Sequence, residues 1–200
     1  MENTKKVFVI TWANTFIHSY EQNGWLNFEY AKRATLFLAR EGGAEYWAKT
    51  SIFDYKFHPE YLKHPGLHGG FDIAVASFDI TKSKSFIKDL EVFKNMLRKI
   101  APSLTSINVK NGDELFITGY PGETGGYMHQ IKAKIFDTIS VDDDTTKLLV
   151  FKDIRASGGL SGAPVLKIDE NKTQLLGLYL GYDQSWDMHI VAAITYNINK

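Results

Sequence analysis

The chain has 200 residues, 44% of them hydrophobic and 14% aromatic, with 23 Lys and Arg balanced by 23 Asp and Glu. That length gives one large domain or two small barrels with a real core. It carries no clustered Lys/Arg stripe to track phosphates and no run of about 18 apolar residues to span a membrane, so neither nucleic acid nor a bilayer is an expected partner. It has no cysteine, which removes disulfides, thiolate metal sites and thiol catalysis together.

The first six residues, Met1-Glu2-Asn3-Thr4-Lys5-Lys6, lead into a short apolar strand at 7–11. That segment is too brief for a signal-peptide core and has no small-residue cleavage site, so an intracellular or organellar chain is expected. Further short strands are expected at 34–40, 47–57 and 72–78. Trp12, Trp25, Trp47, Tyr20, Phe28, Tyr30 and Tyr46 crowd this first half, as core, rim or interface packing. Apolar residues at 86, 90, 93, 97 and 100 then mark one helical face, with Ser83 or Ser85 as a cap and Pro102 as a stop. This helix either packs as a linker or docks on another protein. Strands are expected again at 114–120, 127–138, 146–152, 163–167, 174–181 and 188–195, separated by Gly, Pro, Asn and Asp turns. Many short strands and few helices point to an all-β sandwich or barrel.

The segment Arg155-Ala156-Ser157-Gly158-Gly159-Leu160-Ser161-Gly162-Ala163-Pro164-Val165 puts a serine in a glycine-flanked turn before an apolar strand. A tetrahedral intermediate of acyl transfer needs backbone N–H groups aimed at its oxyanion, and only small residues let the main chain approach that closely. Gly159 and Ser161 are the expected donors. Gly69-Gly70-Phe71-Asp72-Ile73-Ala74-Val75-Ala76-Ser77-Phe78 sets an aspartate at the mouth of an alternating strand, and Ile117-Thr118-Gly119-Tyr120-Pro121-Gly122 ends another strand in a Gly/Pro turn. With Val9-Ile10-Thr11-Trp12-Ala13-Asn14-Thr15-Phe16, the order and spacing resemble the chymotrypsin/trypsin-like serine proteases over nearly the whole chain. The glutamyl-endopeptidase-like branch, poor in disulfides, is the nearest.

The resemblance implies a chymotrypsin-like double β-barrel with an N-terminal barrel over 1–80, a linker with its helix over 81–110, and a second barrel over 111–200 carrying the nucleophile Ser161. The first barrel reads as shortened: four strands fall before residue 80, and two that would precede Val7 are not seen. A partner chain that completes it is one expectation, a covered open edge the other.

The resemblance also implies Ser161, Asp72 and a histidine at position 14, where the chain has Asn14. A carboxamide can hydrogen-bond a serine hydroxyl but has no basic lone pair to take its proton. Of the six histidines, only His18 lies close in sequence, one turn beyond Asn14 if a short helix follows the strand, and it is the alternative base. Leu160 occupies the place of the aspartate that pairs with a newly cut amino terminus in zymogen activation, so activation by cleavage is not expected. Arg155, Tyr179 and Gly181 fall at the primary specificity pocket. There Arg155 would favour an acidic substrate residue if the pocket is open, or fill it or face solvent if it is closed; bulky Tyr179 and Leu180 argue for occlusion.

No cofactor or metal is expected. His64, His68 and Asp72 have i, i+4, i+8 spacing, but Pro65, Gly66, Gly69 and Gly70 forbid the helix that would align them. Asp142-Asp143-Asp144 suits a solvated hairpin tip better than a calcium loop. Two functions follow. One is a pseudoprotease used as a binding or structural subunit for a protein or peptide. The other is a serine endopeptidase, active through His18 or a partner's histidine, or disabled by a substitution at position 14.

Overall fold

In the computed structural model the described residues are 6–41, 45–52, 54–63, 71–79, 108–125, 127–141, 146–169 and 172–194. They fall in two units, residues 1–40 with 44–90, and residues 41–43 with 91–200. The expected helix over 83–100, His64, His68 and the Asp142–Asp144 run all lie outside the described residues.

The first unit begins with β1 (Lys6–Thr11), a 3-10 turn at Ala13–Phe16, and a hairpin of β2 (Ile17–Gln22) and β3 (Trp25–Tyr30). It continues with β4 (Ala34–Glu41), β5 (Glu45–Ile52), β6 (Asp54–Phe57), the one-turn helix α1 (Pro59–Lys63) and β7 (Ala74–Asp79). In β7 the buried Ala74, Ala76 and Phe78 alternate with more exposed neighbours, the period-2 signature of a strand with one face on a core. That core gathers Ala13, Phe16, Ile52, Tyr61, Ala74 and Ala76, with Phe16 stacked on Tyr55 at 4.4 Å between ring centroids.

Two expectations about this half need correction. The β2–β3 hairpin was not anticipated, although Asn23-Gly24 signals it: their φ angles of 55° and 77° are the two positive values of a two-residue hairpin turn. The span 47–57 forms two strands, β5 and β6. The first half therefore holds seven strands among the described residues, not four. Nor do these strands close on themselves: the sheets are β1-β7-β6, β2-β3 and β4-β5.

The second unit contains β8 (Glu114–Gly119), a 3-10 turn at Gly122–Thr124, β9 (His129–Val141), β10 (Thr146–Phe151), β11 (Pro164–Asp169), β12 (Lys172–Asp183) and β13 (Met188–Ala193). These six strands close into a barrel in the order β10-β13-β12-β11-β8-β9. All six matching spans were expected from the alternation of apolar residues. Its interior is filled by Leu115, Ile117, Leu149, Phe151, Val165, Leu176 and Val191, all essentially without solvent contact. Closure leaves this sheet no free edge. In β12 the register shifts between Tyr179 and Gly181, so Leu180 is an extra residue, and Gly181 takes a φ of 144° that a side chain would resist. This bulge re-aims the strand beside the Ser161 turn.

Candidate functional site

The turn over Gly158–Gly162 connects the barrel's 152–157 loop to β11 and is laced to β12. Gly162 N–H donates to Tyr179 O at 2.8 Å, Tyr179 N–H donates to Ala163 O at 2.9 Å, and Ala163 N–H donates back to Leu160 O at 2.8 Å. Ser161 is exposed, and its hydroxyl donates to Leu180 O at 3.4 Å, the outer limit of a hydrogen bond. Ser161, Gly159, Tyr179 and the bulge at Leu180–Gly181 thus sit together in one unit.

The orientation of the Gly158–Gly159 peptide follows from a contact outside the turn. Gly122 N–H donates to Gly158 O at 2.8 Å. No peptide in the described chain is cis, and in a trans peptide the C=O and N–H point in opposite directions. Gly159 N–H therefore points away from the 120–122 loop. Neither Gly159 N–H nor Ser161 N–H has an acceptor among the described residues. Gly159 adopts φ 94°, and a Cβ there would lie 2.9 Å from Gly122 N and 3.1 Å from Tyr120 O. Glycine is required twice over, by conformation and by contact.

Tyr179 points into the barrel core and is 3% exposed. Its hydroxyl lies 2.7 Å from His189 Nδ1, a residue that the sequence reading left among the unassigned histidines. His189 also donates to the backbone carbonyl of Ile154, next to Arg155. Burial lowers the His189 pKa, opposed by the Ile154 bond and the charge of Asp187, and it pushes the Tyr179 phenol up to about 12. The lowered pKa favours the neutral ring, in which one N–H bonds Ile154 O and Nδ1 can accept from Tyr179. The only signal for this pairing in the sequence was two polar aromatics in neighbouring strands. Arg155 is exposed.

In the first unit, Asn14 lies in the 3-10 turn just after β1, and Asp72 lies just before β7 with only 1% exposure. The last β1–β7 pair is Thr11 with Ala74, so the antiparallel register brings Asn14 and Asp72 to the same end of that ladder. His18 is not on the helical turn: it is the second residue of β2, exposed, opposite Glu29 and stacked on Tyr20. The same unit has an open cleft of about 470 Å³ whose walls include Thr15, Phe16, His18, Glu29, Tyr30 and Arg33.

Among the described residues, no three His, Cys, Asp or Glu side chains are grouped to hold a metal ion, and no helix is long and apolar enough to cross a membrane.

No protein-family model matches the chain, and no curated protein matches it. Its backbone is similar to a Glu endopeptidase solved in complex with MPD, at 16% identity over 94% of this chain and 75% of that one, with a TM-score of 0.61. It is also similar to the thermostable serine protease AL20 from an extremophilic microorganism, at 14% identity over 93% and 78% of the two chains, with a TM-score of 0.58. At 14–16% identity, the likeness to these two proteases is one of fold.

Proposed function

We propose that this chain is a pseudoprotease: a serine-protease scaffold that keeps an oxyanion-binding turn and Ser161, has lost its general base at Asn14, and serves to bind a protein or peptide. The observation that carries the reading is the pair of amides at Gly159 and Ser161 that have no acceptor among the described residues, beside an exposed hydroxyl. Two donors 2.7–3.1 Å from a developing oxyanion are what acyl transfer requires.

The loss of the base decides the activity. In a serine protease, removal of the histidine alone lowers kcat on the order of 10⁶-fold, and binding with the oxyanion hole leaves about 10³–10⁴ over water. Asn14 can hold the position through hydrogen bonds and can pair with the buried Asp72, but it cannot accept a proton from Ser161. A binding role is supported by the outer face of the β1–β7 pair, where Phe8, 65% exposed, lies beside Ile10 and Val75. The mixed-charge cleft walled by Glu29, Lys32 and Arg33 supports a peptide as the ligand.

The competing reading is an active endopeptidase with His18 as base. Its exposure on β2 is the observation in favour; its place beyond the helical turn is the observation against. Intact-mass labelling with a fluorophosphonate separates the two. The pseudoprotease reading expects no adduct on the unaltered chain and a Ser161-dependent adduct on Asn14→His. A Ser161-dependent adduct on the unaltered chain, abolished by His18→Gln, would establish the second reading instead.

A further inference from the structure

The turn that presents Gly159 and Ser161 contains three glycines, and glycine loses more backbone freedom on ordering than any other residue. Something must hold it. Of the five residues from Gly158 to Gly162, four are exposed or half-buried and one is not: Leu160 is 1% exposed and belongs to the barrel core. Its side chain occupies the space that a side chain on β8 would fill, since a Cβ at Gly119 would lie 2.8 Å from Leu160 Cδ2 and 3.0 Å from Ala163 Cβ. Leu160 sits in sequence between the Gly159 and Ser161 amides, so a displacement of its backbone displaces both. Its carbonyl closes the turn by accepting from Ala163 N–H at 2.8 Å, and the far side of the turn is held by Gly122 on Gly158 O.

We propose that Leu160 is the positioning residue of the oxyanion turn: seated on Gly119, it holds the Gly159 and Ser161 amides in place by apolar packing, with no ion pair. This rests on the reading of the turn given above. Apolar packing is indifferent to protonation, so the turn stays assembled across the pH range in which the barrel is folded. It also needs no event elsewhere in the chain to form, so anion binding at the turn is always available.

The test uses the full chain carrying Asn14→His, with Leu160→Ala, Leu160→Met and Leu149→Ala compared at equal fraction folded. Leu149 is equally buried in the same barrel. Leu160→Ala is expected to slow fluorophosphonate labelling of Ser161 tenfold or more, Leu160→Met to restore most of the rate, and Leu149→Ala to lower stability while leaving the rate of the folded fraction unchanged. Equal slowing by Leu160→Ala and Leu149→Ala, or labelling of Leu160→Ala at the parent rate, would overturn the proposal. Backbone ¹⁵N relaxation reads the same lock without chemistry. Order parameters at 159–161 should be about 0.85 in the parent and fall below about 0.6 in Leu160→Ala; a turn already mobile in the parent, or still rigid in Leu160→Ala, overturns it. A rigid parent that loosens in Leu160→Ala while Asn14→His takes no label upholds the lock and refutes the acyl-transfer reading of the site.

Discussion

The Tyr179 hydroxyl lies 2.7 Å from Nδ1 of His189, whose ring is also held by the backbone of Ile154. One histidine thereby joins β12 and β13 to the loop that leads into the Ser161 turn. Tyr179→Phe removes the donor and leaves a half-buried ring nitrogen unsatisfied, a loss of about 1–3 kcal/mol. Urea denaturation at pH 7.5 is the check.

The same pair gives a pH dependence whose sign is fixed. Folding lowers the His189 pKa from its ordinary 6.5, so below that value the unfolded chain binds more protons than the folded one. The stabilisation is full above pH 6.5 and is lost as pH falls through the folded pKa. Tyr179, Tyr182 and Asp187 are the titratable groups about the ring, and none of the three changes the sign. His58, also lowered by burial, acts in the same direction. His189→Gln should flatten the rise in stability between pH 5 and 7, and His58→Gln added to it should flatten it further, as read from urea midpoints.

Gly159→Ala and Gly158→Ala make a matched pair. A Cβ at Gly159 meets Gly122 N and Tyr120 O at a φ of 94°, whereas one at Gly158 meets nothing within 4 Å. The first should cost about 1–3 kcal/mol in strain and abolish fluorophosphonate labelling in the Asn14→His chain. The second should stay within about 0.5 kcal/mol of its parent and keep the label.

At Gly177, β12 leaves no room for a side chain against β13. A Cβ there would run into the Ala192 carbonyl and come within 2.8 Å of Val191 Cγ1. Backbone cannot rotate away as a side chain can, so Gly177→Ala should push the β12–β13 ladder apart, at about 3 kcal/mol or more. Loss of the cooperative thermal transition, followed by circular dichroism, is the expected outcome.

Lys167 on β11 pairs with Asp113, just before β8, at 3.1 Å, and both side chains are partly screened from solvent. The Lys167 hydrogen bond leads the effects that hold the Asp113 carboxyl below its ordinary pKa, aided by Lys110 N–H. The lowered value means that its contribution is present above the ordinary carboxylate range and is lost as pH falls through the folded pKa. Lys167→Met should lower stability by about 1 kcal/mol at pH 7 and by less at pH 2 to 3. Acid titration of the two proteins by fluorescence tests the difference.

Much of the barrel was legible because burial of one sheet face writes a period of two into the sequence. Leu115, Ile117 and Gly119 alternate inward along β8, and each of the six second-half strands carried that mark or a run of apolar residues. The Gly158–Gly162 turn was legible for a different reason: a crowded backbone at positive φ admits almost only glycine. The β2–β3 hairpin is marked by Asn23-Gly24 and by Leu26, Phe28 and Tyr30 alternating along β3, but β2, apolar only at Ile17 and Tyr20, carries no alternation of its own. The break between β5 and β6 left no clear mark at all.

The sequence by itself determined that the chain is rich in short strands, that a serine stands in a glycine turn, and that position 14 carries an amide. These are properties of single residues and short periods, set by local sterics and acid–base chemistry. Only the tertiary structure decided that six strands close on one another, that Leu160 is the buried residue of its turn, and that Tyr179 finds His189. Each of these depends on the register between strands far apart in the chain, where the same local pattern fits several partners and packing selects one.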